Sequence, residues 1–406
     1  MKIAVLGYGT VGSGVVELIN MNQDEVNAGA QTDVSIKYIL DIRDFDDSPY
    51  AHLFTKDFND IVNDDEIEVV VEVIGGLNPA YKFVSESLKA GKSVVTSNKE
   101  LVSVHGDTLL KLAKDNNVNF LFEASVGGGI PIIRPLSQCL SANKIDSIAG
   151  ILNGTTNFIL SKMINDGESF DDALKTAQKL GYAEADPTAD VEGIDTCRKI
   201  AILASLASGK HVDPDKIETT GITKVSLDDM MRADKLGYSI KLIGMMKRCE
   251  ENMYITVAPF FIEKTNPLST VQDVFNAILV EGNAVGVSMF YGRGAGKLPT
   301  ASAVVADIID CAKHREVRKN IYWEASESNN VLSVDEMLCK RYVRFDDITD
   351  ADKIKAIFKN SEVIDNNNSI EIVTSENNKK TFDSMLEIAY NELGIKPDSV
   401  YKIFSL

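Results

Sequence analysis

The chain has 406 residues, enough for two or three domains, and its 44% hydrophobic and 25% charged residues are the proportions of a soluble globular protein. A formal net charge of −18 argues against nucleic acid and against an anionic membrane surface as partners, but not against a small anionic cofactor held by local amides and cations. No apolar run is long enough to span a bilayer, and the N-terminus reads as a strand rather than a charged-then-apolar leader, so a cytoplasmic location is expected. The cysteines (Cys139, Cys197, Cys249, Cys311, Cys339) are far apart with no C-x-x-C pair, which indicates neither a zinc knuckle nor a disulfide framework.

Met1-Lys2-Ile3-Ala4-Val5-Leu6 predicts a buried strand that runs into Gly7-Tyr8-Gly9-Thr10-Val11-Gly12, a G-x-G-x-x-G turn. Val11, Val15, Val16, Leu18 and Ile19 then recur at helical spacing. Strand, glycine turn and helix in that order is the context that marks a dinucleotide site; without a ligand the same residues are a glycine-rich turn of an α/β domain. Gly7 permits the tight turn, Gly9 lets backbone approach a pyrophosphate, and Gly12 lets the helix pack close to the strand. The amides at the helix start face the phosphates, with the helix dipole favouring anions there. Further strands are predicted at Val34–Leu40, Ile67–Ile74, Ser93–Thr96 and Val118–Phe122, with helices at Pro79–Ala90 and Glu100–Asn116 between them. This alternation implies a doubly wound parallel sheet of Rossmann type over residues 1–130, with its ligand beyond the carboxyl ends of the strands. Three loops mark those ends: Gly7–Gly12, Gly75-Gly76 and Thr96-Ser97-Asn98-Lys99.

Residues 131–320 mix predicted amphipathic helices (Phe170–Leu180, Gly193–Ser208, Met230–Met246) with strand-like runs at Ile145–Leu152 and Tyr254–Phe261, an α+β substrate and dimerisation domain. A helix over Pro299–Ala312 is expected to pack back on the first domain. The tail, 340–406, reads as its own small unit. Strands at Arg341–Phe345, around Val363, at Ser369–Thr374 and at Val400–Phe404 enclose helices at Ala351–Lys359 and Thr381–Glu392, with a hairpin turn at Asp365–Asn368. The order βαββαβ is the ferredoxin-like pattern.

The segment Gly181–Lys199 is the densest in ionisable groups: Glu184, Asp186, Asp190, Glu192, Asp195 and Lys199 lead a carboxylate-rich loop into a helix. Asp195 and Lys199, four apart, share a helix face. They read either as an ordinary surface pair or, because Ile194, Ile200, Ala201, Leu203 and Ala204 make this helix strongly apolar, as a desolvated lysine able to exchange protons. Lys99, after the strand Ser93–Thr96, is placed either to hold a substrate oxygen near the cofactor or as a solvated lysine at a helix start. His105 lies in an amphipathic helix, where a histidine is more often structural than acid–base. Glu123 followed by Ala124-Ser125-Val126-Gly127-Gly128-Gly129-Ile130-Pro131 supplies one carboxylate and several bare carbonyls, the donor set of a hard cation, or else a plain strand-to-helix turn. Asn153-Gly154-Thr155-Thr156-Asn157 suits recognition of an amino acid's polar head, or provides a helix cap through Thr155 or Thr156.

Taken together, Gly7–Gly12, Val71-Glu72-Val73-Ile74-Gly75-Gly76, Thr96–Lys99, Glu123–Pro131, Asn153–Asn157, Gly181–Lys199 and Gly292-Arg293-Gly294-Ala295-Gly296 resemble, in order and over nearly the whole chain, the homoserine dehydrogenase family. The resemblance implies a reversible, NAD(P)-dependent interconversion of L-homoserine and L-aspartate 4-semialdehyde on the route to threonine, isoleucine and methionine, carried out by a homodimer or homotetramer. It implies Lys199 as proton donor to the aldehyde oxygen and Lys99 as a second lysine near cofactor and substrate. It implies Thr155, Gly181, Tyr182, Glu184, Asp190 and Asp195 as substrate contacts. Gly7, Tyr8, Gly9, Thr10, Val11, Gly12, Gly75, Thr96, Ser97, Lys99 and Gly294 stand on the cofactor side. Glu123 with the carbonyls of Val126, Gly128 and Ile130 matches a sodium site. At the end of the second strand, Asp41 is suited to a ribose 2′-hydroxyl of NAD and Arg43 to a 2′-phosphate of NADP; both remain open. The tail resembles an ACT regulatory domain in its order of elements. The aspartate-x-proline-glycine turn expected after its first strand is replaced by Asp346-Asp347-Ile348-Thr349-Asp350. That departure argues against threonine feedback through the tail and leaves assembly as its role.

Overall fold

In the first strand, β1 (Lys2–Leu6), every side chain from Ile3 onward is out of solvent, as required of a strand at the centre of a sheet covered on both faces. The computed structural model describes residues 1–326, 330–346, 351–366 and 369–405. After β1 come α1 (Thr10–Met21), α2 (Gln23–Ala30), β2 (Ser35–Leu40), β3 (Phe54–Thr55), α3 (Asn59–Val62), β4 (Ile67–Glu72), α4 (Ala80–Lys89), β5 (Ser93–Thr96), α5 (Lys99–Asp115) and β6 (Phe120–Leu121). Then follow β7 (Ile145–Ile151), α6 (Gly154–Asp166), α7 (Phe170–Lys179), α8 (Thr188–Val191), α9 (Ile194–Ser208), β8 (Glu218–Thr219), α10 (Leu227–Lys235), β9 (Tyr238–Cys249), β10 (Asn252–Glu263), β11 (Phe275–Gly282), β12 (Gly286–Arg293) and α11 (Lys297–Lys313). The remainder is β13 (Val331–Leu332), β14 (Arg341–Asp346), α12 (Ala351–Ile357), β15 (Glu362–Asp365), β16 (Ser369–Val373), α13 (Lys379–Leu393) and β17 (Ser399–Ile403). No helix among the described residues is long and apolar enough to cross a membrane.

The chain divides into two compact units, Met1–Ile145 with Arg198–Lys216 and Gly282–Asn329, and Asp146–Cys197 with Ile217–Glu281 and Asn330–Leu406. In the first, strands pair in parallel in the order β3-β2-β1-β4-β5-β6. Strand order reverses beside β1, so the loops after β1 and β4 flank the crevice in which such sheets take their ligands. Helix α11 lies tight on α1: a Cβ on Gly14 would come within 2.8 Å of the Lys297 carbonyl oxygen and 3.2 Å of the Ala301 side chain.

The second unit is built on a mixed sheet. Strands β7, β9 and β10 are antiparallel neighbours, β17 pairs in parallel with β10, and β14, β16 and β15 continue antiparallel beyond β17. The helix predicted over Met230–Met246 is corrected here. Helix α10 stops at Lys235, Gly237 takes φ +82°, and the rest of that stretch is β9. Residues Ile240–Met246 are all buried, so both faces of this strand are covered and its apolar run carries no alternation to tell it from a helix. The tail has the element order β14-α12-β15-β16-α13-β17 and its own apolar core of Phe345, Ile354, Phe358, Ile372, Phe382 and Ala389. Its sheet is nevertheless not separate: Phe260 and Phe261 of β10 pair with Lys402 and Ile403 of β17. Positions 347–350 of the segment that replaces the expected tail turn, and positions 367–368 of the predicted Asp365–Asn368 turn, lie outside the described residues.

Candidate active site

The loop after β1 has the form its glycines require. Gly7 sits at φ +99°, reachable without strain only by glycine, and a Cβ on Gly12 would fall 1.9 Å from the Gly7 carbonyl oxygen. A Cβ on Gly9 would meet nothing within 4 Å. No side chain caps α1 and its first turn holds no acid, the local chemistry in which helix-start amides such as those of Thr10, Val11 and Gly12 favour an anion. Asp41, at the end of β2, accepts from the Tyr8 amide (2.8 Å) and in a fork from Arg43 Nε (2.9 Å) and Nη2 (2.8 Å). The Arg43 guanidinium holds this carboxyl far below the usual carboxylate range. Asp41 is nearly buried while Arg43 is exposed, over the Phe45 ring.

A residue with no role in the sequence reading organises the next two loops. Glu72, the last residue of β4, is fully buried. It accepts from the amides of Ile74 (2.8 Å) and Gly75 (3.2 Å) and from the Thr96 hydroxyl (2.6 Å). Burial pushes its carboxyl upward, against the pull of the Thr96 hydrogen bond. Thr96 in turn accepts from the Asn98 amide (2.9 Å), so its hydroxyl is engaged inside the protein and only its backbone is available to a cofactor. Asn98 caps α5 by accepting from the Leu101 amide (3.0 Å) and donates to the Gly76 carbonyl (2.6 Å). An acid directly after the run Val69–Val71 was the available signal for this hub.

Lys99 opens α5, half-buried, and Lys199 lies in α9 with only 8% of its surface exposed. The surface reading of Lys199 is therefore set aside. Between the two helices Arg198 Nη2 donates to Glu100 Oε1 at 2.7 Å, each partner about a quarter exposed. Each lysine is thus the chain neighbour of one member of an ion pair that joins their helices. Glu100→Gln is expected to lower turnover about fivefold, and exchanging the charges (Glu100→Arg with Arg198→Glu) to recover part of that loss. A double-mutant cycle on kcat with coupling under about twofold would contradict the positioning role.

In the second unit Asn153, the N-cap of α6, accepts from the Thr156 amide (2.8 Å). Its Nδ2 donates to Asp190 Oδ1 (2.7 Å) and Asp195 Oδ2 (2.9 Å), so one amide holds two carboxylates of the acidic segment together. Gly193, at φ +81°, turns that segment into α9, which carries Asp195 and, one turn on, Lys199. Asp195 is buried, Asp190 half-buried and Glu184 exposed. The Thr155 hydroxyl donates to the Tyr182 carbonyl (2.6 Å), which ties α6 to the segment that begins at Gly181.

Of the two readings of Glu123, the hydrogen bonds of its side chain fit the turn. Its carboxylate accepts from the amides of Ile132 (2.6 Å), Ile133 (2.9 Å) and Arg134 (2.8 Å), so it serves as the cap of that turn and not as an open cation ligand. Behind it, buried Asp307 accepts from the Glu123 amide (2.8 Å) and from Arg134. The buried carbonyls of Val126, Gly128 and Ile130 receive no hydrogen bond from any described residue. No group of three or more histidines, cysteines or acids close enough to hold a metal occurs among the described residues. The same loop meets Gly292–Gly296: the Gly129 amide donates to the Arg293 carbonyl (3.1 Å), and a Cβ on Gly128 would lie 2.3 Å from the Gly294 oxygen.

Two family models match, the NAD-binding domain of homoserine dehydrogenase over residues 7–123 and homoserine dehydrogenase over residues 131–309. The homoserine dehydrogenase of Bacillus subtilis (strain 168) is 40% identical over 367 residues, covering 88% of this chain and 84% of its own. The chain belongs to the homoserine dehydrogenase family. The homoserine dehydrogenase structure from Thiobacillus denitrificans superimposes with a TM-score of 0.93 at 34% identity, covering 100% of this chain and 98% of its own. A hyperthermophilic archaeal homoserine dehydrogenase in complex with NADPH is 29% identical with a TM-score of 0.66 over 77% of this chain and 97% of its own. The hydrogen-bonding roles of Glu72, Asn98, the Glu100–Arg198 pair, Asn153 as a bridge between acids, and Asp307 were not read from the sequence.

Proposed function

We propose that this chain interconverts L-homoserine and L-aspartate 4-semialdehyde with NAD(P), in the cytoplasm and on the route to threonine, isoleucine and methionine. The observation that carries the reading is α9: Asp195, bridged to Asp190 by Asn153, sits one helical turn from buried Lys199. A bound nicotinamide supplies or takes up the hydride. Lys199 gives its proton to the aldehyde oxygen in reduction and recovers it from the hydroxyl in oxidation. Reduction builds negative charge on that oxygen, and an ammonium in hydrogen-bond reach stabilises it. Lys99 is the second cation on the cofactor side. Asp190, Asp195 and Glu184 take the substrate's α-ammonium, with Thr155, Gly181 and Tyr182 shaping the same contact. The test is consumption of reduced cofactor with aspartate semialdehyde against a panel of other small aldehydes. Equal rates across the panel would replace this reading with a less selective reductase.

Within that reading the cofactor is NADP. All four of Asp41's close donors come from Tyr8 and Arg43, which leaves it little capacity for a ribose hydroxyl, while the exposed Arg43 guanidinium suits a phosphate. Arg43→Ala is expected to raise the KM for NADP about tenfold or more and leave that for NAD nearly unchanged, since a hydrogen bond to a charged group contributes about 1.5–3 kcal/mol. Equal shifts for both cofactors would reverse the assignment.

A sodium ion fits the carbonyls of Val126, Gly128 and Ile130, with Glu123 contributing through the turn it caps; the ion would rigidify the loop that meets Gly294. Residues 1–130 are the NAD(P)-binding domain, 131–320 the substrate and dimerisation domain, and 340–406 an ACT-like domain serving assembly. The protein is a homodimer or homotetramer. Val285, Val287, Met289 and Tyr291, alternate exposed apolar residues at β12, support a self-association surface.

A further inference from the structure

Lys241, in β9, is a buried lysine that the chemistry above leaves without a role. Only 3% of its surface is exposed, and no carboxylate among the described residues pairs with it. Its ammonium donates to the Val271 carbonyl (2.6 Å) and to Asn157 Oδ1 (3.0 Å). Burial alone pulls its pKa down to about 8. An ammonium only donates, so it fixes the orientation of the Asn157 amide: Oδ1 must face Lys241 and Nδ2 must face away. There Nδ2 meets the carbonyls of Val271 (3.3 Å), Asp273 (2.9 Å) and Phe275 (3.1 Å). This gathers an irregular stretch of backbone against the first turns of α6. The fit is close, because a Cβ on Gly154 would come within 2.8 Å of the Val274 oxygen. One residue before Gly154 is Asn153, whose amide holds Asp190 and Asp195.

We propose that Lys241 is a positioning residue for the substrate carboxylates: it locks the Asn157 amide and the 271–275 backbone, and so sets where α6 presents Asn153 to Asp190 and Asp195. An apolar side chain of similar length would fill the same volume but orient nothing. The role rests on the assignment of Asp190 and Asp195 to the amino end of homoserine.

The experiment is steady-state kinetics of the full chain bearing Lys241→Met, Lys241→Gln or Asn157→Ala, with circular dichroism and Tm to establish folding. In Lys241→Met the KM for homoserine rises about tenfold or more while the KM for NADP stays within about twofold, as misplacement of a binding group by a fraction of an ångström demands. Lys241→Gln, which keeps a donor, recovers part of the loss. Asn157→Ala removes the relay with Lys241 in place and reproduces the same split, which carries the test if Lys241→Met does not fold. A folded variant with an unchanged homoserine KM, or with both KM values rising together, overturns the inference. A wild-type chain inactive with homoserine would instead overturn the functional reading on which it rests.

Discussion

Lys199→Ala lowers turnover by at least about a hundredfold and leaves the fold intact, the scale of lost acid–base catalysis. The fold survives because alanine is the best helix former and the neighbouring Ile200, Ala201, Ile202, Leu203 and Ala204 of α9 remain packed, each with 0% exposure. The rate falls because the ammonium that gives its proton to the substrate oxygen is gone. Lys199→Arg does not restore activity, since a guanidinium keeps its proton throughout the accessible pH range. The measurement is kcat in both directions together with the far-ultraviolet circular dichroism spectrum. A folded alanine variant with near-normal turnover removes Lys199 from the chemistry.

The second large effect separates the two glycines to which the sequence motif assigns different tasks, Gly9 and Gly12. Gly12→Ala places a methyl carbon 1.9 Å from the Gly7 oxygen and 3.0 Å from its carbonyl carbon. Both are backbone atoms, so α1 itself must move off the loop. Overpacking of this kind costs about 1–3 kcal/mol, and each 1.4 kcal/mol that reaches binding is a factor of about ten in cofactor affinity. Gly12→Ala therefore loses both Tm and affinity for NADPH. Gly9→Ala puts its methyl into open space and loses affinity alone, because the methyl stands where the pyrophosphate must come close. NADPH titration followed by fluorescence, with Tm of the free proteins, checks both. Equal Tm loss in the two variants would mean that Gly9, like Gly12, is a packing glycine.

The N-terminal half of this fold was legible because its signals are local. A buried strand, a glycine turn with fixed φ requirements and an amphipathic helix each announce themselves within a dozen residues, and β1, Gly7–Gly12 and α1 fall where they were expected. The stretch 230–246 was not legible, because a strand covered on both faces has the same apolar run as a buried helix; only Gly237 marked the break. The continuity of the tail with the central sheet was equally hidden, since it depends on pairing between residues about 140 apart in the chain. In the candidate site, the acids and lysines were visible as residues, but what holds them was not. Thr155 or Thr156 read as the helix cap, but the cap is Asn153, which also clamps two carboxylates. Glu123 read either as a cation ligand or as part of a plain turn, and its oxygens face three amides of that turn. The Glu100–Arg198 pair had no local signal, because its partners are 98 residues apart in the chain.

The most direct test of the central claim is a stoichiometric one. Purified protein is given L-homoserine with NADP, with NAD as the parallel arm and sodium present or absent. Nicotinamide absorbance is followed while the carbonyl product is trapped and identified. The account predicts homoserine-dependent NADPH formation matched one for one by aspartate 4-semialdehyde, faster with NADP than with NAD. Folded protein that produces neither, and that also fails to consume NADPH with the semialdehyde, would contradict it.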